Sequence, residues 1–113
     1  MTLRAVIRST GAYLPEKILT NQDLEKMVDT TDEWIVQRSG IRQRHIAAKD
    51  QATSDLAIAA AQVALKNAKL TGADIDGIIV ATTTPDQTFP AVAVKVQKAL
   101  DIPNCPAFDI QAV

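Results

Sequence analysis

At 113 residues and a net charge of −1, the chain is long enough for one small domain and lacks the charge excess of a nucleic-acid or polybasic membrane binder. No apolar run approaches the roughly 20 residues that span a bilayer, and Arg4 and Arg8 interrupt the N-terminus where a signal peptide needs a continuous apolar core. The single cysteine, Cys105, excludes an internal disulfide framework and suits a reducing compartment, so a cytoplasmic location is expected.

Aromatic residues make up only 4% of the chain while alanine is abundant. Small side chains let helices approach a sheet closely, which favours an α/β layer architecture over a β-sandwich. Residues 3–9 alternate, with Leu3, Ala5 and Ile7 against Arg4, Val6 and Arg8, and predict a strand. The run from Gly11 to Pro15 breaks it. Thr20 with Asp23 has capping-box spacing and predicts a short helix with Leu24, Met27 and Val28 on its apolar face. Thr30 with Glu33 repeats that signal for a second short helix. There Ile35 faces inward, Trp34 and Arg38 share another face, and Gly40 supplies the stop.

Residues 46–52 are polar and predict a loop. Thr53 or Ser54 opens the longest helix, near 54–69, in which Leu56, Ile58, Val63, Leu65 and the alanines wrap most of the circumference. A helix apolar on most sides is expected to lie buried between layers. Gly72 and Asp74 mark the turn out. The run from Ile78 to Thr83 suits a strand covered on both faces, as in a parallel sheet. A loop from Thr84 to Phe89 follows at its C-terminal end. Pro90 is expected in the first turn of a helix reaching about Leu100. Ala107 to Gln111 predict a last strand. Strands separated by helices imply right-handed crossovers, and ligands in such sheets bind outside the C-terminal strand ends.

Five blocks now stand together: Val28-Asp29-Thr30-Thr31-Asp32-Glu33-Trp34-Ile35, Arg38-x-Gly40-Ile41-Arg42-x-Arg44-His45, Ala81-Thr82-Thr83-Thr84, Phe89-Pro90 and Cys105-Pro106-Ala107-Phe108-Asp109. In order and spacing they closely resemble the start of β-ketoacyl-acyl carrier protein synthase III, the initiating condensing enzyme of type II fatty acid synthesis in the thiolase superfamily. The resemblance implies a thiolase-like layered α/β/α/β/α sandwich, of which residues 1–113 would be most of the first half. It implies a homodimeric acyltransferase that takes acetyl from acetyl-CoA onto a cysteine. The acyl-enzyme then condenses with malonyl-acyl carrier protein, losing carbon dioxide, to give acetoacetyl-acyl carrier protein. No cofactor is implied, since the coenzyme A thioester is a substrate.

By the same resemblance the nucleophilic cysteine is expected immediately after Val113, and the catalytic histidine and asparagine in a second half. Residues 1–113 alone are therefore expected to be inactive. A helix N-terminus at the end of the last strand would lower the thiol pKa and offer N–H groups to the thioester oxyanion. One explanation for a chain that stops there is a chemically modified cysteine in the next position.

Trp34 and Arg38 resemble the family's coenzyme A residues, and an indole with a guanidinium can stack on adenine and meet phosphates. Read without the resemblance, the favoured reading is the plain one of a helix-surface indole covered by its neighbouring arginine. Thr30 matches another coenzyme contact, although a capping role alone explains it. Phe89 matches a residue that crosses the dimer interface to line the partner's acyl pocket; the alternative is an ordinary anchoring aromatic. Arg44 and His45 read as surface charge or internal pairing, and no cluster around His45 suggests a metal. Cys105 sits in a connection between Asn104 and Pro106 with no helix start or base, and reads as structural rather than nucleophilic. Asp86 and Asp109 read as structural or solvated. Two other functions remain open on these residues. One is a related thiolase-superfamily synthase with another acyl primer. The other is a non-catalytic acyl-CoA-binding homologue that lacks the cysteine.

Overall fold

The computed structural model describes residues 2–111. They divide into two compact units, one of Leu14–Gln51 and the other of residues 2–13 with 52–111. Both mix helix and strand.

The unit Leu14–Gln51 is a hairpin and two short helices. Strand β1, Lys17–Thr20, pairs antiparallel with β2, Gln43–Ile46, from Lys17 opposite Ile46 to Thr20 opposite Gln43. Between them lie α1, Asn21–Glu25, and α2, Asp32–Ser39. The predicted box at Thr20 is present. Its hydroxyl accepts from the Asp23 N–H at 3.1 Å, and the Asp23 carboxylate accepts from the Thr20 N–H at 3.1 Å. The first helix stops sooner than expected, at Glu25, so Met27 and Val28 lie past it with 67% and 58% of their surfaces exposed. The second is capped one residue later than expected. Thr31, not Thr30, has the extended backbone of an N-cap and accepts from the Trp34 N–H at 3.1 Å. Gly40 closes the helix as predicted, in the left-handed region at φ 72° with its N–H on the Val36 carbonyl. The hairpin itself was not expected, and Ile46, assigned to a loop, is its last strand residue.

The other unit packs helices on a parallel strand pair. Helix α3, Thr53–Ala68, is the longest element. Thr53 opens it, as expected, and the N-cap is Ala52, whose N–H donates to Asp55 at 2.8 Å. After a 3₁₀ turn at Gly72–Asp74 come β3, Ile78–Ala81, helix α4, Val92–Ala99, and β4, Ala107–Ile110. The strands run parallel, Ile78 opposite Ala107 through Ala81 opposite Ile110, as the β-helix-β order requires. The core is the α4 face formed by Val92, Ala93 and Val96.

Other expectations fail in this unit. Strand β3 ends two residues early and is covered on one face only, with Ile79 62% exposed. The long helix is half-buried rather than enclosed, and Val63 is 40% exposed. Residues 3–9 form no strand; Leu3 and Ile7 stand 93% and 89% exposed. Alternation permits a strand, but only a ladder partner makes one, and none of the described residues pairs with this segment. Residues 9–11 are instead held on α3. Ser9 donates to the Ala64 carbonyl at 2.7 Å, Asn67 donates to Thr10 at 3.0 Å, and a Cβ on Gly11 would lie 2.3 Å from the Ala64 nitrogen. The final expected strand residue, Gln111, lies just past β4, and the approach to Val113 falls outside the described residues. Among those residues, no helix is long and apolar enough to cross a membrane.

Candidate functional site

The second short helix presents the site. Asp32 and Glu33 lie in its first turn and Arg38 in its last, each charge favourable to the helix dipole. Residues 34 and 38 are four apart and so share a face. The Arg38 guanidinium carbon stands 5.7 Å from the centre of the Trp34 ring, and the indole remains 56% exposed. Beside it opens a cavity of about 260 Å³ lined by Asp29, Thr30, Thr31 and Trp34. The structure thus brings Thr30 and Trp34 to one wall, with Arg38 over the indole. Because the capping hydroxyl belongs to Thr31, the cap no longer accounts for Thr30, whose half-buried side chain lies in the cavity wall.

The cavity can take a flat group against the indole, with hydroxyl and carboxylate groups at its edge. The Asp29 carboxylate repels phosphate, while Arg38 attracts it, so an adenine nucleotide would place its phosphates on the Arg38 side. Arg44 and His45 do not join this surface. Arg44 donates to Asn21 at 2.9 Å, and His45 Nδ1 donates to the Pro15 carbonyl. The carbonyl can only accept, which places the proton on Nδ1.

Phe89 belongs to the other unit. It stands 83% exposed on the loop between β3 and α4, and lines a cavity of about 380 Å³ with Thr82, Pro85, Thr88, Ala91, Asp109 and Gln111. The expected helix start at Pro90 is wrong by two residues. The cap is Ala91, and the Asp109 carboxylate of β4 accepts from the N–H groups of Val92 at 2.7 Å and Ala93 at 2.9 Å. A carboxylate from a neighbouring strand does what a local Ser or Thr usually does.

Asp86 fastens the same loop. It accepts from the Ser54 N–H at 2.8 Å, the Ser54 hydroxyl at 2.6 Å and the Lys95 ammonium at 2.9 Å. Burial pushes its carboxyl up, but the bonds from Ser54 and Lys95 outweigh it and hold the pKa at about 2, below the usual 3.8. Folding therefore favours the ionised form. The stability gained is complete above about pH 4 and is lost as pH falls through about 2. Asp86→Asn is expected to cost about 1–2 kcal/mol at neutral pH after allowance for solvent screening. It should also flatten the stability profile below pH 4, as read by denaturant titration at several pH values. An unchanged acid slope would contradict the assignment.

Cys105 is half-buried, with Gln97 Nε2 3.4 Å from its carbonyl and 3.5 Å from its sulfur. Among the described residues no group of three or more His, Cys, Asp or Glu is arranged to hold a metal.

Comparisons with known proteins agree along the chain. β-Ketoacyl-[acyl-carrier-protein] synthase III of Rhodospirillum centenum is 58% identical over 113 residues, which is 100% of this chain and 35% of that protein. The Caulobacter vibrioides protein of the same name is 61% identical over 111 residues, 98% of this chain and 34% of that one. The crystal structure of 3-oxoacyl-[acyl-carrier-protein] synthase III from Aquifex aeolicus superimposes with a TM-score of 0.83 at 48% identity, covering 92% of this chain and 33% of that one. The chain spans about a third of the length of the curated relatives it matches. No protein-family model matches it. The thiolase-like α/β fold implied by the resemblance is the fold of these structural neighbours.

Proposed function

We propose, for a chain that belongs by sequence and fold with the β-ketoacyl-[acyl-carrier-protein] synthase III family, that it supplies the coenzyme-gripping surface of an initiating condensing enzyme. The observation that carries this reading is the exposed Trp34 with Arg38 over its ring, beside a cavity walled by Thr30. That surface would hold acetyl-CoA by its nucleotide. The acetyl group passes to the thiolate of a cysteine that follows Val113, and the coenzyme leaves as its thiol. Malonyl-acyl carrier protein then loses carbon dioxide. The resulting carbanion attacks the enzyme thioester, giving acetoacetyl-acyl carrier protein and freeing the cysteine. A histidine and an asparagine beyond residue 113 serve the second step. The substrate thioesters suffice for this chemistry without a further cofactor.

In this proposal the enzyme is a cytoplasmic homodimer, and residues 1–113 form the N-terminal part of its first thiolase-like half. Phe89 lines the partner's acyl pocket. Its 83% exposure is the feature that such a role requires.

The test is a condensation assay on the complete synthase with acetyl-CoA and malonyl-acyl carrier protein. Acetoacetyl-acyl carrier protein and free coenzyme A are expected in equal amounts. Tight acyl-CoA binding without condensation, for primers of any length, would point instead to a non-catalytic homologue. Condensation of only longer or branched primers would assign a related synthase.

A further inference from the structure

Asn21 has no exposed surface at all, an uncommon state for an asparagine unless its polar atoms have partners. Here each has one. The side-chain Nδ2 donates to Asp32 Oδ1 at 2.7 Å and to the Ile41 carbonyl at 2.8 Å, and Oδ1 accepts from Arg44 Nη1 at 2.9 Å. The backbone N–H donates to the Arg42 carbonyl at 3.3 Å. These partners are not scattered. Asp32 is the first residue of α2, Ile41 follows the glycine that ends it, and Arg44 lies on β2. One amide therefore fastens both ends of the helix that carries Trp34 and Arg38, and ties it to the hairpin.

That helix needs such a fastening. It has eight residues, about two turns, too few to be stable alone, and none of its side chains is fully buried. Its apolar residues Ile35 and Val36 are only half-buried, so polar contacts carry much of its placement: this clamp, and the Asp32 N–H donating to Glu25 Oε1 at 2.6 Å. We propose that Asn21 is a positioning residue for coenzyme A binding: it sets the angle at which the indole and guanidinium meet the nucleotide. This rests on the reading of Trp34 and Arg38 given above.

Asn21→Asp in the complete synthase removes both donors and sets the new carboxylate against Asp32, so the clamp opens by like-charge repulsion. Coenzyme A binding, followed by calorimetry, is expected to weaken about tenfold, the scale of one lost buried hydrogen bond. The acetyl-CoA KM is expected to rise alongside it while kcat stays within about twofold. Adding Asp32→Asn returns a donor to the pair and leaves Arg44 facing a carboxylate. The double variant should regain most of the affinity, although the Ile41 carbonyl still lacks its donor. No loss in Asn21→Asp, or a loss that the double variant does not recover, overturns the proposal. If Asn21→Asp alone fails to fold, Asp32→Asn, whose amide oxygen can still accept from Asn21 Nδ2, is compared with Asp32→Ala, which leaves that donor unpaired. Weaker coenzyme A binding by Asp32→Ala than by Asp32→Asn supports the clamp, and equal binding overturns it. Trp34→Ala measured in parallel separates the two readings. If it leaves coenzyme A affinity unchanged, the indole site itself is wrong; if it weakens binding while Asn21→Asp does not, only the clamp is.

Discussion

Trp34→Ala in the complete synthase is expected to raise the acetyl-CoA KM about tenfold, the scale of one lost base-aromatic stacking contact. The malonyl-acyl carrier protein step should change far less, because a carrier-bound substrate need not bring a nucleotide to the indole. The reasoning starts from exposure. The ring is 56% exposed, so truncation opens no core cavity and should cost little stability. What it removes is a flat wall beside Thr30 and the surface beneath Arg38. Arg38→Ala is expected to do less at high salt than at low salt, since the contribution to phosphate binding proposed for it would be screened. Initial-rate kinetics with each substrate varied in turn would distinguish these outcomes. Equal losses for both substrates would mean that the indole acts through stability rather than through the coenzyme.

The largest structural effect is expected from Asp109→Ala. Its carboxylate accepts from the N–H groups of two residues that are almost completely buried, Val92 at 1% and Ala93 at 0% exposure. Truncation takes the acceptor from both donors at the start of α4. Charge-assisted bonds of this kind and the desolvation they offset put the loss at about 3 kcal/mol. Asp109→Asn retains one acceptor oxygen and should lose about half as much. Faster amide exchange at Val92 and Ala93 than at the middle of α3 would locate the damage at the helix start. Uniform acceleration across the unit would show that the carboxylate matters only through global stability. The consequence reaches the loop that carries Phe89, since Asp109 and Phe89 line the same cavity.

Local chemistry was legible in the residues and non-local chemistry was not. The Thr20 box, the Gly40 stop and the parallel β-helix-β order depend on spacing within one element or on chain topology, and all three are present. The cap of α2 shows the resolution of such readings. Thr30 and Thr31 stand in tandem, either hydroxyl can reach an amide three residues on, and only backbone geometry selects Thr31. The β1–β2 hairpin had no signature, because its strands are four residues each and are separated by two helices. The alternating segment 3–9 carried a strong signature but found no ladder partner among the described residues.

The acidic residues show the same division. Asp86 and Asp109 looked structural or solvated, and structural is correct. That they cap helices across 32 and 17 residues of chain was not visible in any window. Asn21 left no trace either, since a polar residue at the start of a short helix ordinarily faces water. The residues proposed to grip the coenzyme stand out only by their resemblance to a family, and the spacing of Trp34 and Arg38 alone supports only their shared face. The structure adds the cavity beside them and frees Thr30 from the capping role.

Acyl transfer is the step on which all the roles proposed for Trp34, Arg38 and Phe89 depend. It is tested most directly by incubating the complete synthase with isotopically labelled acetyl-CoA in the absence of malonyl-acyl carrier protein, then mapping the label by peptide mass spectrometry. One acetyl group per chain is expected, in thioester linkage on a cysteine directly following Val113, accumulating more slowly in Trp34→Ala. Label on Cys105, or a chain that binds acetyl-CoA and acquires no label, would contradict it.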